Sequence, residues 1–160
     1  MRTIGMILVS LALAAPALAE DCGSWSAGLQ EEEEGTTMVA SVCAAGHPDD
    51  LLIVTCGGEG KLGLRLVPSV GDGFPPGGAM DYHSAFSFAD GAASAMIDMH
   101  YEAMDGVMAA RPDRDSDLVR LLKAKGPLTV TDLSGALPTY TFPLAGSTKA
   151  IGKVERACYN

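Results

Sequence analysis

Residues 51–67 read LLIVTC, GGEG, KLGLRLV, and they point to an antiparallel, disulfide-bearing β fold. In the last segment Leu62, Leu64 and Leu66 fall on one face at period two, the mark of a half-buried strand. Leu51 to Cys56 is an apolar, β-branched run of strand length, and Gly57-Gly58-Glu59-Gly60 between the two is a tight turn. Working upstream, Thr37 to Ala44 (TMVASVCA) predicts a second strand and Ser24 to Leu29 a first. The acidic run Glu31 to Glu34, followed by Gly35, reads as a solvated hairpin tip.

Downstream, Pro68 to Ala79 (PSVGDGFPPGGA) is a loop, because proline removes ladder donors and glycine disfavours extended pairing. Its Gly71-Asp72-Gly73 is too short for a phosphate loop, and no Gly-Lys-Ser/Thr follows. Ser84 to Phe88 predicts a strand. In the next strand Ala95, Ile97, Met99 and Tyr101 form one apolar face, and Met96, Asp98, His100 and Glu102 form the other. Asp105-Gly106 turns the chain into Val107 to Ala110. The period then changes: Asp113 to Lys125 carries acids and Ser116 at its start, leucines in its middle and lysines at its end, which predicts an amphipathic helix. Leu128 to Leu133 and Thr139 to Leu144 form a last hairpin around Ser134-Gly135. Ser147 to Ala157 follows as a short helix with Ala150, Ile151, Val154 and Cys158 on one stripe, so that a cysteine there pins the helix to the sheet.

The amino terminus has the three zones of a secretory signal peptide over residues 1–19. Arg2 is the positive end, Ile4 to Leu13 the apolar stretch, and Ala17-Leu18-Ala19 the small residues before a cut after Ala19. The stretch is too short for a membrane span of about twenty residues. Ala19-Glu20-Asp21 before Cys22 is unsuited to a lipoprotein cut. The short positive end with an Ala-x-Ala site is a bacterial pattern, so the expectation is one β-rich domain, residues 20–160, in the periplasm or secreted beyond it. The whole chain has a formal net charge of −9, and loss of Arg2 leaves ten basic against twenty acidic residues. That balance argues against nucleic acid and anionic membrane surfaces, whose attraction depends on Lys/Arg clusters.

Cys22, Cys43, Cys56 and Cys158 make an even count in an exported chain, which implies two disulfides. No CxxC spacing points to a zinc ribbon or a redox site. A turn at His47-Pro48-Asp49-Asp50 puts Cys43 opposite about Leu52. Cys56 then lies about four residues further on, too far for a bridge whose Cα atoms stand within about 7 Å. The other connectivities stay open on this reading.

Asp98, His100 and Glu102, at alternate positions on one strand face, are candidates for a divalent metal or a general base. A solvated strand surface needs no such explanation. Met96, Met99, Met104 and Met108 around His100 suit cuprous copper, although methionine is also an adaptable core filler. His47 and His83 are further imidazoles. No Gly-x-Ser-x-Gly elbow is present, and bridged cysteines supply no thiolate, so no catalytic residue is expected.

The stretch Trp25 to Val67, with LLIVTC before a glycine-rich turn and LGLRL, resembles small exported proteobacterial proteins, as does the tail TFPLAGSTKAIGKVERAC. Both are similar to accessory periplasmic proteins associated with type VI secretion and, more loosely, to invasion-associated locus B proteins. The resemblance covers about half of the mature chain and implies a β-rich sandwich with a Cys56–Cys158 type staple and no known catalytic centre. The chain departs from those families in its Phe74 to Ala79 loop and its methionine-rich middle, so no functional residue carries over. The expected pairing is Cys22–Cys43 with Cys56–Cys158. The expected fold is mainly β: an antiparallel sandwich or open barrel of eight to ten strands with two helices. The expected role is a non-enzymatic, cofactor-free protein that binds an envelope protein or component through a sheet edge or loop. The alternative is a periplasmic copper or zinc binder using Asp98, His100, Glu102 and Met96.

Overall fold

The computed structural model describes residues 22–32, 35–71 and 73–159. The expected signal peptide, Glu33 and Glu34 of the acidic run, and Asp72 of the long loop lie outside the described residues. Among the described residues no helix is long and apolar enough to cross a membrane.

β1 (Ser26–Glu32), β2 (Gly35–Ala44), β3 (His47–Cys56) and β4 (Leu62–Val67) follow one another as antiparallel neighbours. The chain then crosses to β5 (His83–Ala89) and returns through β6 (Ser94–Glu102) and β7 (Val107–Ala110), which docks on β4. After α1 (Asp117–Leu122), β8 (Pro127–Asp132) adds to the other side of β5, and β9 (Tyr140–Pro143) pairs with β8 before α2 (Ser147–Tyr159). The result is one nine-stranded open antiparallel sheet in the order β1-β2-β3-β4-β7-β6-β5-β8-β9. It curls until its ends approach. The Ala45 N–H donates to Thr141 O and the Trp25 N–H to Ala145 O, both at 2.8 Å. The Trp25 indole N–H adds a bond to Pro143 O at 2.9 Å. Trp25 thereby latches the start of β1 to the segment after β9.

The inward faces fill with Val42, Leu52, Val54, Leu62, Leu64, Leu66, Phe86, Phe88, Met99, Met108 and Phe142, each almost without exposure. Each of the larger side chains contributes roughly 1.5–3 kcal/mol by leaving water. Ile151 and Val154 of α2 and Leu118, Val119, Leu121 and Leu122 of α1 close onto the same core. α2 covers β1 to β3, and α1 covers β5 and β6. The period-two faces of β4 and β6 stand as expected, with Met99 inside and Met96, Asp98 and His100 outside.

Two local expectations are corrected. The β2–β3 turn is Ala45-Gly46, where Gly46 takes φ +77°, so β3 already starts at His47 and Cys43 pairs with Leu51 rather than Leu52. A glycine accepting a left-handed φ outcompetes the Pro-Asp-Asp sequence as a turn site. The helix at Asp113–Lys125 contracts to the six residues of α1. Asp113 bridges to Lys61 and the Arg114 N–H donates to Gly60 O, which ties the first residues to the β3–β4 turn. Ser116 caps the helix at the Val119 N–H. At the other end the Lys123 and Ala124 N–H groups donate to the carbonyls of Arg120 and Leu121, a tightening last turn before Gly126 at φ +96°.

Both disulfides form as expected: Cys22–Cys43 with Cα atoms 5.0 Å apart, and Cys56–Cys158 at 5.5 Å. The second joins the end of β3 to the end of α2, where Arg114 stacks over the Tyr159 ring at 5.0 Å. Two bridges are compatible with an exported protein.

Candidate functional site

Because Leu62, Leu64 and Leu66 point inward, Gly63, Arg65 and Val67 stand on the outer face of β4. The register carries that face across the sheet. Thr55 pairs with Gly63, Arg65 with Ala109, Ala109 with His100, and His100 with His83. Arg65, Ala109, His100 and His83 therefore form one row over β4, β7, β6 and β5. Ala109 is short enough for the Arg65 side chain to pass over it. Arg65 Nη2 reaches Glu102 Oε2 at 2.8 Å and Asp105 Oδ2 at 3.3 Å, two strands away. Glu102 turns its other oxygen toward His100 Nε2 at 3.6 Å.

These groups rim a pocket of about 150 Å³ with Thr55, Gly63 and Ala109 in its floor and Thr37 and Arg111 at its ends. That volume holds a group about the size of benzene. Gly63 leaves room in the floor for the Thr55 hydroxyl, which a Cβ there would meet at 2.5 Å and force to turn aside. On the β2 side the face continues into a shallow groove of about 430 Å³ over Gly28, Val39 and Ser41. The two depressions, which share no lining residue, lie on one outer face spanning β1 to β6 and are together called the trough. Arg65 is neutralised by two carboxylates, whereas Arg111 is exposed and has no ion-pair partner among the described residues. The trough thus offers one uncommitted cation, a fixed Arg–Glu–His line and two threonine hydroxyls, a set that suits a polar ligand carrying an anion.

The candidates named from sequence divide here. Asp98, His100 and Glu102 share the outer face as expected, with Cα atoms about 6.6 Å apart per two-residue step, and only Glu102 reaches His100, at 3.6 Å. Asp98 is exposed opposite Ala85. The His83 and His100 rings lie 6.2 Å apart. Among the described residues no three His, Cys, Asp or Glu side chains converge as metal ligands. The methionines also part: Met99 and Met108 are in the core, while Met96 is 73% exposed on the outer face and Met104 is fully exposed in the β6–β7 turn. His47 lies away from this site at the start of β3, 3.6 Å from the buried Asp50 carboxylate. Arg65, Arg111, Thr37 and Thr55 were not among the sequence candidates. The available signal was the polar complement of the leucine pattern, which puts Arg65 on the outer face of β4.

A comparison of the chain with protein-family models, with curated proteins and with solved structures finds no match in any of the three.

Proposed function

We infer that this is an exported, non-enzymatic accessory protein of the bacterial envelope that holds a polar, anion-bearing segment of another envelope component in its outer-face trough. The envelope setting rests on the signal-peptide pattern, the two disulfides, and the likeness to accessory periplasmic and invasion-associated locus B proteins. The choice of site rests on one observation. Among the described residues Arg111 has no ion pair, and it lies beside the Arg65–Glu102 ion pair and His100, over a floor cleared by Gly63 and Ala109. The interior is packed with apolar side chains, so the outer face is where a polar ligand finds partners.

The test is capture from envelope extract by the wild-type protein and by the Arg65→Glu/Arg111→Glu variant. Wild-type protein is expected to retain a partner that the variant loses, more weakly at high salt. Equal capture by both removes the trough as the site, and no capture under several conditions removes the binding role. A zinc or copper alternative draws on the His83–His100 pair beside Glu102. Elemental analysis finding no metal in protein purified without chelator removes it.

A further inference from the structure

We propose that the outer edge of β1 is a self-association surface, on which two copies pair their β1 strands antiparallel about a two-fold axis at Leu29. The proposal does not rest on the trough ligand, although β1 also forms one wall of the groove. Its starting point is that only the first part of the outer edge of β1, at Trp25 and Ala27, is engaged within the chain. β9 has its outer edge engaged by the Ala45 N–H and by the Trp25 latch. β1 stands at the other end and, among the described residues, pairs only with β2.

The side of β1 that remains open follows from two bonds. The Trp25 N–H donates to Ala145 O, and Lys153 Nζ donates to Ala27 O at 3.3 Å, so neither backbone group faces β2. Along a strand, successive residues direct their backbone groups to opposite sides, and the two groups of one residue share a side. Ala27, Leu29 and Glu31 therefore turn their N–H and C=O groups outward, while Ser26, Gly28 and Gln30 bond β2. Leu29 is 66% exposed, and its register partner Met38 packs against the core. From Leu29 onward that edge has no bonded neighbour among the described residues, and with its exposed leucine it is a template for another strand.

The pattern of charge selects a second copy as that strand. A two-fold axis at Leu29 sets the two Leu29 residues opposite one another and places Glu31 of the second copy opposite Ala27. Ala27 and Glu31 share the face of Leu29, and Lys153 already reaches Ala27 O on that edge. Glu31 of one copy thus comes beside Lys153 of the other, twice by symmetry. The acidic ends of the two β1 strands run in opposite directions. Glu31 of each stands about 13 Å from Glu31 of the other along the strands, beyond the screening length of about 8 Å. A parallel pairing would set those acidic ends side by side.

Sedimentation equilibrium of the disulfide-bonded protein, from about 1 to about 200 µM at roughly 50 and 500 mM salt, reads the proposal directly. A reversible monomer–dimer equilibrium that weakens at least several-fold at the higher salt is expected. Leu29→Pro deletes an outward N–H without touching the β1–β2 ladder, so it should give a monomer with unchanged circular dichroism and melting. Glu31→Lys and Lys153→Glu should each weaken the dimer about tenfold, and the double reversal should restore it. A wild-type monomer throughout the range overturns the proposal, as does a dimer that survives Leu29→Pro or a double reversal that restores nothing. If Leu29→Pro fails to fold, the charge reversal decides.

Discussion

At the scale of single residues, Asp132 shows how one carboxylate organises a loop. It ends β8, is 3% exposed, and accepts from the Ser84 and Ser134 hydroxyls and from the N–H groups of Ser134, Ala136 and Leu137. Tyr82 OH approaches at 3.4 Å. Burial alone would raise its pKa. The hydrogen bonds from Ser84, Ser134 and Leu137 outweigh that effect and hold it below the ordinary carboxylate value. A depressed folded pKa means stabilisation that is complete above about pH 3.9, the unfolded value, and that fades as pH falls through the folded value. Asp132→Asn keeps the shape but puts an NH2 where donors now point, so a loss of about 2–4 kcal/mol is expected at neutral pH. Urea unfolding followed against pH checks it: the wild type should lose stability below about pH 4 in a limb that the Asn variant lacks or shows reduced. An equal acid limb in both would clear Asp132 of the role. Sequence gave no warning of this residue, because four of its bonds come from a following seven-residue loop whose path no periodicity encodes.

Elements were legible where the pattern repeats and illegible where distant chain competes for the same backbone. The Leu62-Leu64-Leu66 alternation fixed β4 and its outward face, and the two faces of β6 sorted as their period demanded. α1 kept only half of its expected length because Asp113 and Arg114 bond the β3–β4 turn instead, contacts to Lys61 and Gly60 far back in the chain that caps and dipoles do not register. The same limit hid the trough. Its Arg65–Glu102 pair joins two strands that become near neighbours only because β7 returns to β4. That β3–β4 turn is also tightly packed at Gly57. A Cβ on Gly57 would meet Leu62 C at 2.5 Å, Leu62 O at 2.7 Å and Gly63 N at 2.8 Å, all of them backbone atoms that cannot turn aside. Gly57→Ala is therefore expected to cost about 1–3 kcal/mol and to loosen β3 against β4. Thermal unfolding with amide exchange across residues 55–63 measures both, and an unchanged melting point would show that the hairpin yields more easily than this packing implies.

Over the whole molecule, the two disulfides divide the work of holding a curled open sheet. Cys22–Cys43 closes a separation of 21 residues and fastens the segment before Trp25, from which the latch to Pro143 and Ala145 is thrown. Cys56–Cys158 closes a separation of 102 and fastens α2, whose Ile151 and Val154 cover the β1–β3 side of the core. Loop-closure entropy in the unfolded chain gives them about 3 and about 5 kcal/mol respectively. At 2–4 °C per kcal/mol for a domain of this size, full reduction should lower the melting temperature by roughly 15–30 °C. The two bridges should also separate by location. Cys56→Ala/Cys158→Ala should cost more than Cys22→Ala/Cys43→Ala and expose the amides of α2 first, since that helix then loses its one covalent tie and keeps its apolar stripe and polar contacts such as the Lys123–Glu155 ion pair. Calorimetry of the oxidised, reduced and doubly substituted proteins tests this ordering. A fully reduced protein, with four free thiols confirmed by mass, that melts where the oxidised one does would mean that the core alone holds the sheet closed. In that case the bridges would no longer support an oxidising compartment as a condition of folding.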